Sequence, residues 1–314
     1  MDTTRMFGAS GIAVSTIGLG AWQLGRSAAW LDGPTQTEAV ALVHAAIDSG
    51  ITFIDTAPGY ADGQSEVNLG VALRERRDEV VLCTKFGHTP EGGSNWDPAA
   101  IRGSVQLSAQ RLGTDRLDVV VLHNPPPEVL DGNRSEHYAV LEGLVGEGLI
   151  RAYGASVDTG ADVDTVLTSS DSTALELRMS ALYQEPWNSV ERAHDKGVGV
   201  IVKVPLESGW LTGKYGGDAR FTDVRSRWSR EDVALRARLV QEFRELLPAG
   251  VGLMSGALGF LLAHDGVSTV IPGTKSLEQL ETTLAAARDP LPAESVAAIR
   301  AWYDERLGST PLTW

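Results

Sequence analysis

The stretch Leu117-Asp118-Val119-Val120-Val121-Leu122-His123 is the most strand-like segment of this 314-residue sequence. Its apolar and β-branched residues predict a strand buried on both faces, as in a parallel sheet that helices cover. The amphipathic segments before and after it, near Ala99–Leu112 and Tyr138–Glu147, predict helices. Together the three segments predict the helix–strand–helix repeat of an α/β protein.

The same alternation continues in both directions along the chain. Strand-like runs occur at Thr16–Gly20, Thr52–Asp55, Val80–Lys85, Leu117–His123, Ile150–Ser156, Leu175–Ser180, Val198–Val204 and Ser268–Ile271. A helical segment follows each run, and no linker separates the repeats. An open doubly wound sheet is the alternative, but the partial fingerprint at Gly18-Leu19-Gly20 lacks its third glycine and a suitable acidic residue. We therefore predict one α/β domain over residues 1–314, a (β/α)8 TIM barrel.

Further segments lie outside this repeat. Residues 1–13 predict a short N-terminal hairpin, turned at Gly8-Ala9-Ser10-Gly11, that covers the end of the barrel opposite the catalytic face. Residues 87–97, 124–136 and 206–230 follow strands and predict long loops. In a barrel the loops after the strands lie on the catalytic face, so we expect these three segments to surround a site there.

Composition narrows the set of partners. Lys and Arg number 27 against 41 Asp and Glu, which gives a net charge of −14. Such an acidic chain repels nucleic-acid phosphates and anionic lipids, so neither is an expected partner. No apolar run reaches the roughly 18 residues of a membrane span. The N-terminus has no signal-peptide stretch, and the single Cys83 fits a reducing compartment, so we expect a cytoplasmic protein.

Polar side chains stand where predicted strands end. Asp55, Lys85, His123 and Ser156 end the second to fifth strands, and Tyr60 follows Asp55 in a turn. Alone, each has a structural explanation, because aspartate often caps a helix and histidine often satisfies a structural hydrogen bond. Parallel barrel strands point their carboxyl ends to a common mouth, so the coincidence predicts an active site.

These residue types suit proton transfer to or from a carbonyl oxygen. A phenol has an ordinary pKa of about 10, and a lysine ammonium beside it favours the phenolate. An aspartate paired with the lysine keeps the lysine charged, and a histidine can orient a substrate oxygen. None of these groups supplies electrons, and no metal-ligand cluster is evident, so a hydride donor is required.

With these residues in place, the chain resembles the aldo-keto reductases over essentially its whole length. The matching blocks are Thr52-Phe53-Ile54-Asp55-Thr56-Ala57, Ser65-Glu66-Val67-Asn68-Leu69-Gly70, Thr84-Lys85-Phe86-Gly87, His123-Asn124-Pro125, Gly154-Ala155-Ser156, Pro205-Leu206-Glu207-Ser208-Gly209 and Ile271-Pro272-Gly273-Thr274. The resemblance implies NADPH/NADP+ as cofactor, with NADH possible, and interconversion of a small carbonyl compound and an alcohol. It also implies Tyr60 as general acid/base, with Asp55, Lys85 and His123 in the roles given above.

The resemblance further implies a set of cofactor residues. They are Ser156, Glu176, Lys203, Leu206, Ser208, Gly273, Thr274, Lys275 and Gln279. Ser156 matches the serine that contacts the nicotinamide carboxamide, and Leu206 and Ser208 match a pyrophosphate-binding turn. Gln279 stands where an arginine often binds the ribose 2′-phosphate, with Lys275 nearby as a substitute.

The nicotinamide end departs from the family pattern. Val157, Glu176 and Lys203 stand where the family often has an asparagine, a glutamine and a stacking aromatic ring. One hypothesis is that the Lys203 ammonium lies near the nicotinamide and disfavours its cationic, oxidised form. The alternative is that Lys203 pairs with Glu176 and fills the space.

The substrate pocket is predicted from aromatic residues near the mouth. Trp22, Trp96 and Trp228 are the expected lining residues, with core or surface packing as the competing explanation of each. Arg225 and Arg227 could contact the cofactor or an anionic substrate, or be solvated loop charges.

Three other functions remain open at this stage. They are a non-turnover nicotinamide-binding regulatory subunit, a sugar or alcohol dehydrogenase working mainly in the oxidative direction, and a barrel hydrolase or lyase.

Overall fold

The structure, a computed structural model, describes residues 4–312 and contains an eight-stranded parallel barrel. The strands are β1 (Thr4–Met6), β2 (Ala13–Ser15), β3 (Leu19–Gly20), β4 (Phe53–Asp55), β5 (Val81–Phe86), β6 (His88–Thr89), β7 (Gly93–Ser94), β8 (Val119–His123), β9 (Ala152–Val157), β10 (Ala174–Arg178), β11 (Gly199–Lys203) and β12 (Thr269–Val270). The large sheet has the order β3-β4-β5-β8-β9-β10-β11-β12, and its neighbours are parallel. Every predicted barrel strand is present.

Hydrogen bonds between the first and last strands close the sheet. Gly18 N donates to Val270 O at 2.8 Å, and Val270 N donates to the oxygen of Thr16 at 2.9 Å. Parallel bridges also join Ile17 to Val270 and Gly20 to Gly273. The predicted (β/α)8 barrel is therefore confirmed.

Helices follow every barrel strand, as predicted. They are α1 (Gln36–Asp48), α2 (Gln64–Ala72), α3 (Ile101–Arg111), α4 (Pro127–Leu130), α5 (His137–Gly146), α6 (Gly160–Ser169), α7 (Trp187–Asp195), α8 (Arg230–Glu245), α9 (Leu253–Leu262), α10 (Leu277–Ala286) and α11 (Ala293–Arg306). The sequence did not predict α9, because it is apolar and buried around most of its circumference and lacks an amphipathic period. None of the helices within residues 4–312 combines the length and apolar character that a bilayer crossing needs.

The N-terminal hairpin covers the amino-terminal end of the barrel, as predicted. Strands β1 and β2 pair antiparallel, and β2 extends to Ser15, two residues past the predicted boundary; residues 1–3 lie outside the described range. The Phe7 ring stacks on Phe53 with centroids 6.0 Å apart. A Cβ at Gly199 would lie 2.6 Å from that Phe7 ring, so glycine is needed for the hairpin to close the barrel.

Candidate active site

Side-chain alternation along the barrel strands brings polar groups together at the carboxyl-terminal end. Successive residues of a strand face opposite sides, so Ala152 packs inside the barrel while Tyr153, Ala155 and Val157 pack against the helices. Val157 is therefore outside the site. The inward-facing polar residues at the strand ends are Asp55 (β4), Lys85 (β5), His123 (β8), Ser156 (β9), Glu176 (β10) and Lys203 (β11).

Lys85 lies at the centre of this end of the barrel. Its ammonium contacts the carboxylate of Asp55, lies 3.0 Å from Glu176 Oε2, and donates to Thr56 O at 3.0 Å. The side chains of all three charged residues are at most 3% exposed. Asp55, Cys83 and Glu176 are close enough to share a metal ion, but the ammonium of Lys85 contacts both carboxylates and serves as their counter-ion.

The buried charges alter one another's ionisation. Burial and the neighbouring Glu176 charge raise the pKa of Asp55 to about 8, against the opposing effect of Lys85. Burial disfavours the charged form of Lys85, but its two carboxylate neighbours outweigh this and raise its pKa well above the usual value. Burial also opposes ionisation of Glu176, yet the charges of Lys85 and Lys203 lower its pKa. Glu176 is therefore the more readily ionised of the two carboxyl groups.

Tyr60 lies over this charged cluster. It begins a tight 3-10 turn in which Ala61 and Asp62 adopt left-handed backbone angles, with φ of 49° and 55°. Lys85 Nζ is 5.2 Å from the centroid of the phenol ring. Burial raises the pKa of Tyr60 above its usual value; Lys85 opposes this shift, and the carboxylates reinforce it.

His123 lies beside the phenol at the end of β8. Its ring meets the Tyr60 ring edge-on, with centroids 5.8 Å apart. Burial, followed by the charges of Lys85 and Lys203, lowers the pKa of His123 well below its usual value. The imidazole is therefore neutral near neutral pH. Its Nδ1 is buried and has no hydrogen-bond partner within residues 4–312.

Ser156 connects this cluster to a second lysine. Its hydroxyl donates to Glu176 Oε1 at 2.9 Å and accepts from Lys203 Nζ at 2.9 Å. Lys203 Nζ also donates to Asn124 Oδ1 at 2.8 Å and lies 3.0 Å from Asp158 Oδ1. Lys203 thus pairs with Asp158 and not with Glu176, and the hypothesis of a direct Lys203–Glu176 pair is wrong. Glu176 instead forms its ion pair with Lys85, through Oε2 at 3.0 Å.

Comparisons with known proteins agree with this geometry. Residues 16–304 match the sequence profile described as the aldo/keto reductase family. The chain belongs to the aldo/keto reductase family. It is therefore an oxidoreductase that depends on NAD(P)H, as the resemblance implied.

Individual relatives cover nearly the whole chain. The NADH-specific methylglyoxal reductase of Escherichia coli (strain K12) is 31% identical over 301 residues, which cover 89% of this chain and 91% of that protein. The holo form of aldo-keto reductase AKR11C1 from Bacillus halodurans is 30% identical, covers 95% of both chains and superposes with a TM-score of 0.80. An aldo/keto reductase from Klebsiella pneumoniae in complex with NADP and acetate is 27% identical, covers 96% of both chains and has a TM-score of 0.71.

Within this reductase, the predicted pyrophosphate turn has an unusual backbone. Val204, Glu207, Ser208 and Gly209 adopt positive φ angles of 56°, 47°, 54° and 94°. Consecutive left-handed residues can turn several backbone N–H groups toward one concave surface, a geometry that suits an anion. Leu206 and Ser208 lie in this turn, in which Glu207 N donates to Val204 O at 3.0 Å and Gly209 N donates to Leu206 O at 2.9 Å.

The predicted contacts to the far end of the cofactor lie after β12. Lys275 forms an ion pair with Asp32, which comes from the loop after β3. Lys275 N donates to Gln279 Oε1 at 3.1 Å, so Gln279 orders the turn around the lysine. Thr274 is buried and Gly273 is exposed beside Gln23. The basic group of this region is therefore Lys275, and its charge is paired with the carboxylate of Asp32.

Two of the three predicted tryptophans lie near the reactive end of the site. Trp22 is 6.3 Å from Tyr60 between ring centroids, and Trp96 is 6.2 Å from His88, which itself lies 4.8 Å from His123. By contrast, Trp228 is 8% exposed and packs against other aromatic rings of the 206–230 loop. The structure therefore does not place Trp228 with the other two.

Sequence reasoning missed several residues that the structure brings to the mouth. Trp30 meets Trp22 edge-on at 5.2 Å, and the Arg225 guanidinium lies 5.6 Å from the Trp30 ring. His88, Asn124 and Asp158 were also missed. Asn124 and Asp158 directly follow strands that had been predicted, so their position after a strand end was a usable signal.

Proposed function

We propose that this protein reduces aldehydes or ketones with Tyr60 as the general acid. The observation that carries this proposal is the arrangement of the Tyr60 phenol, with the Lys85 ammonium 5.2 Å from its ring centroid and the neutral His123 ring edge-on at 5.8 Å. A positioned acid with a buried cation behind it and a neutral hydrogen-bonding ring beside it suits protonation of a carbonyl oxygen.

In the reductive direction Tyr60 donates its proton to the substrate oxygen. Lys85 stabilises the phenolate that remains, and Asp55 and Glu176 hold Lys85 in place. His123 orients the substrate oxygen. The bound nicotinamide cofactor supplies the hydride, which is the part of the chemistry that these side chains lack. In the oxidative direction the phenolate accepts the proton from the alcohol.

The surrounding residues fit a dinucleotide. We propose that Ser156, Lys203 and the side-chain amide of Asn124, in which Lys203 donates to the other two, would hold the nicotinamide carboxamide. We propose that the left-handed turn at 204–209 binds the pyrophosphate; because Glu207 N and Gly209 N donate within the turn, the N–H and side chain of Ser208 are the groups proposed to bind it. We propose NADPH as the first cofactor, with Lys275 near its 2′-phosphate, and NADH as the second. A single lysine near the proposed 2′-phosphate position is consistent with binding of both NADPH and NADH.

We propose a substrate pocket between Trp22, Trp30, His88 and Trp96. Aromatic side chains form most of this wall, and the ring of His88 lies 4.8 Å from His123. Such a wall suits a small carbonyl compound with an apolar or planar body. The ring contacts of Trp228 support a role in ordering the 206–230 loop.

Continuous closure of the barrel between Ile17 and Val270 also supports the proposal that the chain forms one domain. Limited proteolysis that released two separately stable halves would contradict it.

Stopped-flow oxidation of protein-bound NADPH tests the function. Methylglyoxal and a reactive aromatic aldehyde are suitable probes, and we expect loss of NADPH absorbance that depends on carbonyl concentration. Turnover only with alcohols and NADP+ would instead identify a dehydrogenase. Tight NADPH binding with no hydride transfer in either direction would overturn the proposal and identify a regulatory subunit.

A further inference from the structure

The catalytic lysine has two carboxylate partners where one would suffice to hold it. Lys85 Nζ contacts Asp55 Oδ1 and lies 3.0 Å from Glu176 Oε2, and the three side chains are 0%, 3% and 1% exposed. If both carboxyl groups were ionised, the cluster would carry a net negative charge in a site without solvent. Buried charge of this kind is costly, and holding a proton removes it.

We propose that Glu176 is a second counter-ion of Lys85, so that the Asp55–Lys85–Glu176 cluster holds one carboxyl proton near neutral pH and, when that proton leaves at higher pH, gains a negative charge that keeps the Tyr60 phenol in its acid form. This inference rests on the proposed function, because it concerns the proton that Tyr60 donates. It also adds a pH range: the phenol stays protonated, and so available as a general acid, to higher pH. Glu176 acts through Lys85 and is a positioning residue.

The surroundings of the two carboxyl groups decide which of them carries the proton. Glu176 accepts a hydrogen bond from Ser156 at 2.9 Å, and Ser156 in turn accepts one from Lys203. Both lysine charges favour the ionised form of Glu176, whereas burial and Glu176 itself raise the pKa of Asp55 to about 8. Asp55 is therefore the protonated partner below that pH, and Glu176 balances Lys85.

The protonation of Tyr60 depends on when Asp55 loses its proton, because Glu176 is already ionised. As the pH rises through about 8, Asp55 loses its proton and the cluster gains a negative charge. That charge opposes formation of a phenolate, so Tyr60 stays protonated to higher pH than it would beside one aspartate. With glutamine at position 176, Asp55 would be the sole counter-ion, and the cluster would stay neutral while Tyr60 titrates.

Other titratable groups that face the cluster do not supply the extra proton. Burial raises the pKa of the Cys83 thiol, so this group stays protonated throughout. Burial and nearby cations lower the pKa of His123, so it stays neutral. Lys203 forms its ion pair with Asp158 and reaches Glu176 only through Ser156.

Infrared spectroscopy of the purified protein tests the proton directly and requires no turnover. We expect a protonated-carboxyl band that disappears between neutral and alkaline pH in the wild type and is missing in Glu176→Gln and Glu176→Ala. Glu66→Gln is the matched control, because Glu66 is also buried, pairs with Arg111 at 2.6 Å, and accepts from Thr84 next to Lys85. This control should keep the band. A wild type without the band, or a band that persists in both Glu176 variants, would overturn the proposal.

The pH profile of methylglyoxal reduction tests the consequence for Tyr60. We expect the alkaline limb of Glu176→Gln to lie at lower pH than that of the wild type by about one unit or more. Glu176→Asp, which keeps the charge, should restore the wild-type limb, and Glu66→Gln should not move it. Superimposed profiles for wild type and Glu176→Gln would reject the electrostatic role. Absence of turnover in every variant would instead reject the proposed function, and the infrared result would still stand.

Discussion

The buried cluster of Asp55, Lys85 and Glu176 and the ion pair of Lys275 with Asp32, where we propose that the far end of the cofactor binds, differ in how the protein holds their charges. Asp55, Lys85 and Glu176 stand on barrel strands β4, β5 and β10, and their side chains are at most 3% exposed. Lys275 and Asp32 come from two loops, with side chains 21% and 71% exposed. Both are ion pairs, but only the first is shielded from water. Screening by water makes the second weak and easily exchanged for a ligand.

This difference predicts where substitutions have large effects. Removing one member of a buried charged cluster leaves the others without compensation, whereas removing one member of an exposed pair leaves a solvated charge. Changes at the strand ends should therefore affect chemistry and stability together. Changes at the loop pair should affect only the choice of cofactor.

Tyr60→Phe should have the largest effect. It removes the proton donor while leaving the cation and the cofactor-binding segments in place, so turnover should fall by a factor of about 100 to 10,000. Steady-state kinetics with methylglyoxal and fluorescence titration with NADPH measure the two properties separately. Turnover close to that of the wild type would defeat the assignment of Tyr60.

Lys85→Met should destabilise the protein as well as inactivate it. Two buried carboxyl groups would lose their shared cation, at a cost of about 3–5 kcal/mol in the free energy of unfolding. The loss should be greater at alkaline pH, where both groups must ionise, than at acidic pH, where protonation neutralises them. Urea unfolding at two pH values measures this.

The contrasting variant is Arg102→Met, which breaks an exposed pair with Glu147. We expect little change in the urea midpoint for this variant. Equal losses of stability in Arg102→Met and Lys85→Met would remove the distinction between buried and exposed pairs.

Lys203→Met should have an intermediate effect. Asp158 already offsets much of the Lys203 charge, so the ratio of oxidised to reduced cofactor affinity should shift toward the oxidised form by only about threefold. Asp158→Asn, which leaves Lys203 without that carboxylate, should shift the ratio the other way. Equilibrium titration with NADP+ and NADPH gives both ratios, and an unchanged ratio in both variants would exclude any electrostatic contact with the nicotinamide.

Asp32→Asn should have the smallest effect. It frees Lys275 from its exposed carboxylate, so NADPH affinity should rise by no more than about twofold while NADH affinity stays the same. Added salt should reduce the gain, because the charges are exposed. A parallel rise for NADH would show that Asp32 does not act through the 2′-phosphate.

The sequence predicted that Asp55, Lys85 and His123 meet at one end of the barrel because strand geometry is periodic. Once a run of apolar residues is recognised as a strand, the direction of its last polar residue is fixed, as for His123 at the end of β8. Lys203 was instead named from the family resemblance, because the predicted strand Val198–Val204 ends one residue later. Strand geometry did not reveal the ion pair of Lys203 with Asp158, because Asp158 lies just past a strand, where the period of two no longer applies.

Contacts between distant loops were beyond sequence reasoning for a different reason. Asp32 and Lys275 are 243 residues apart, and nothing in the local pattern of either loop specifies the other. The placement of Trp228 away from Trp22 and Trp96 has a similar origin, because it depends on how the 206–230 loop folds back on its own aromatic residues.

The seam between β3 and β12 bears on how the chain is made. Gly18 hydrogen-bonds to Val270 across this seam. The Arg5 guanidinium also donates to the carbonyl groups of Leu262, His264 and Val267, at 2.6, 3.1 and 2.5 Å respectively. During translation β3 therefore has no partner on this side until β12, the last strand, has left the ribosome. A nascent chain that stalls before Ser268 carries two open sheet edges, which are the surfaces that recruit other chains. The risk of aggregation is thus greatest just before synthesis ends, and it disappears when the seam forms.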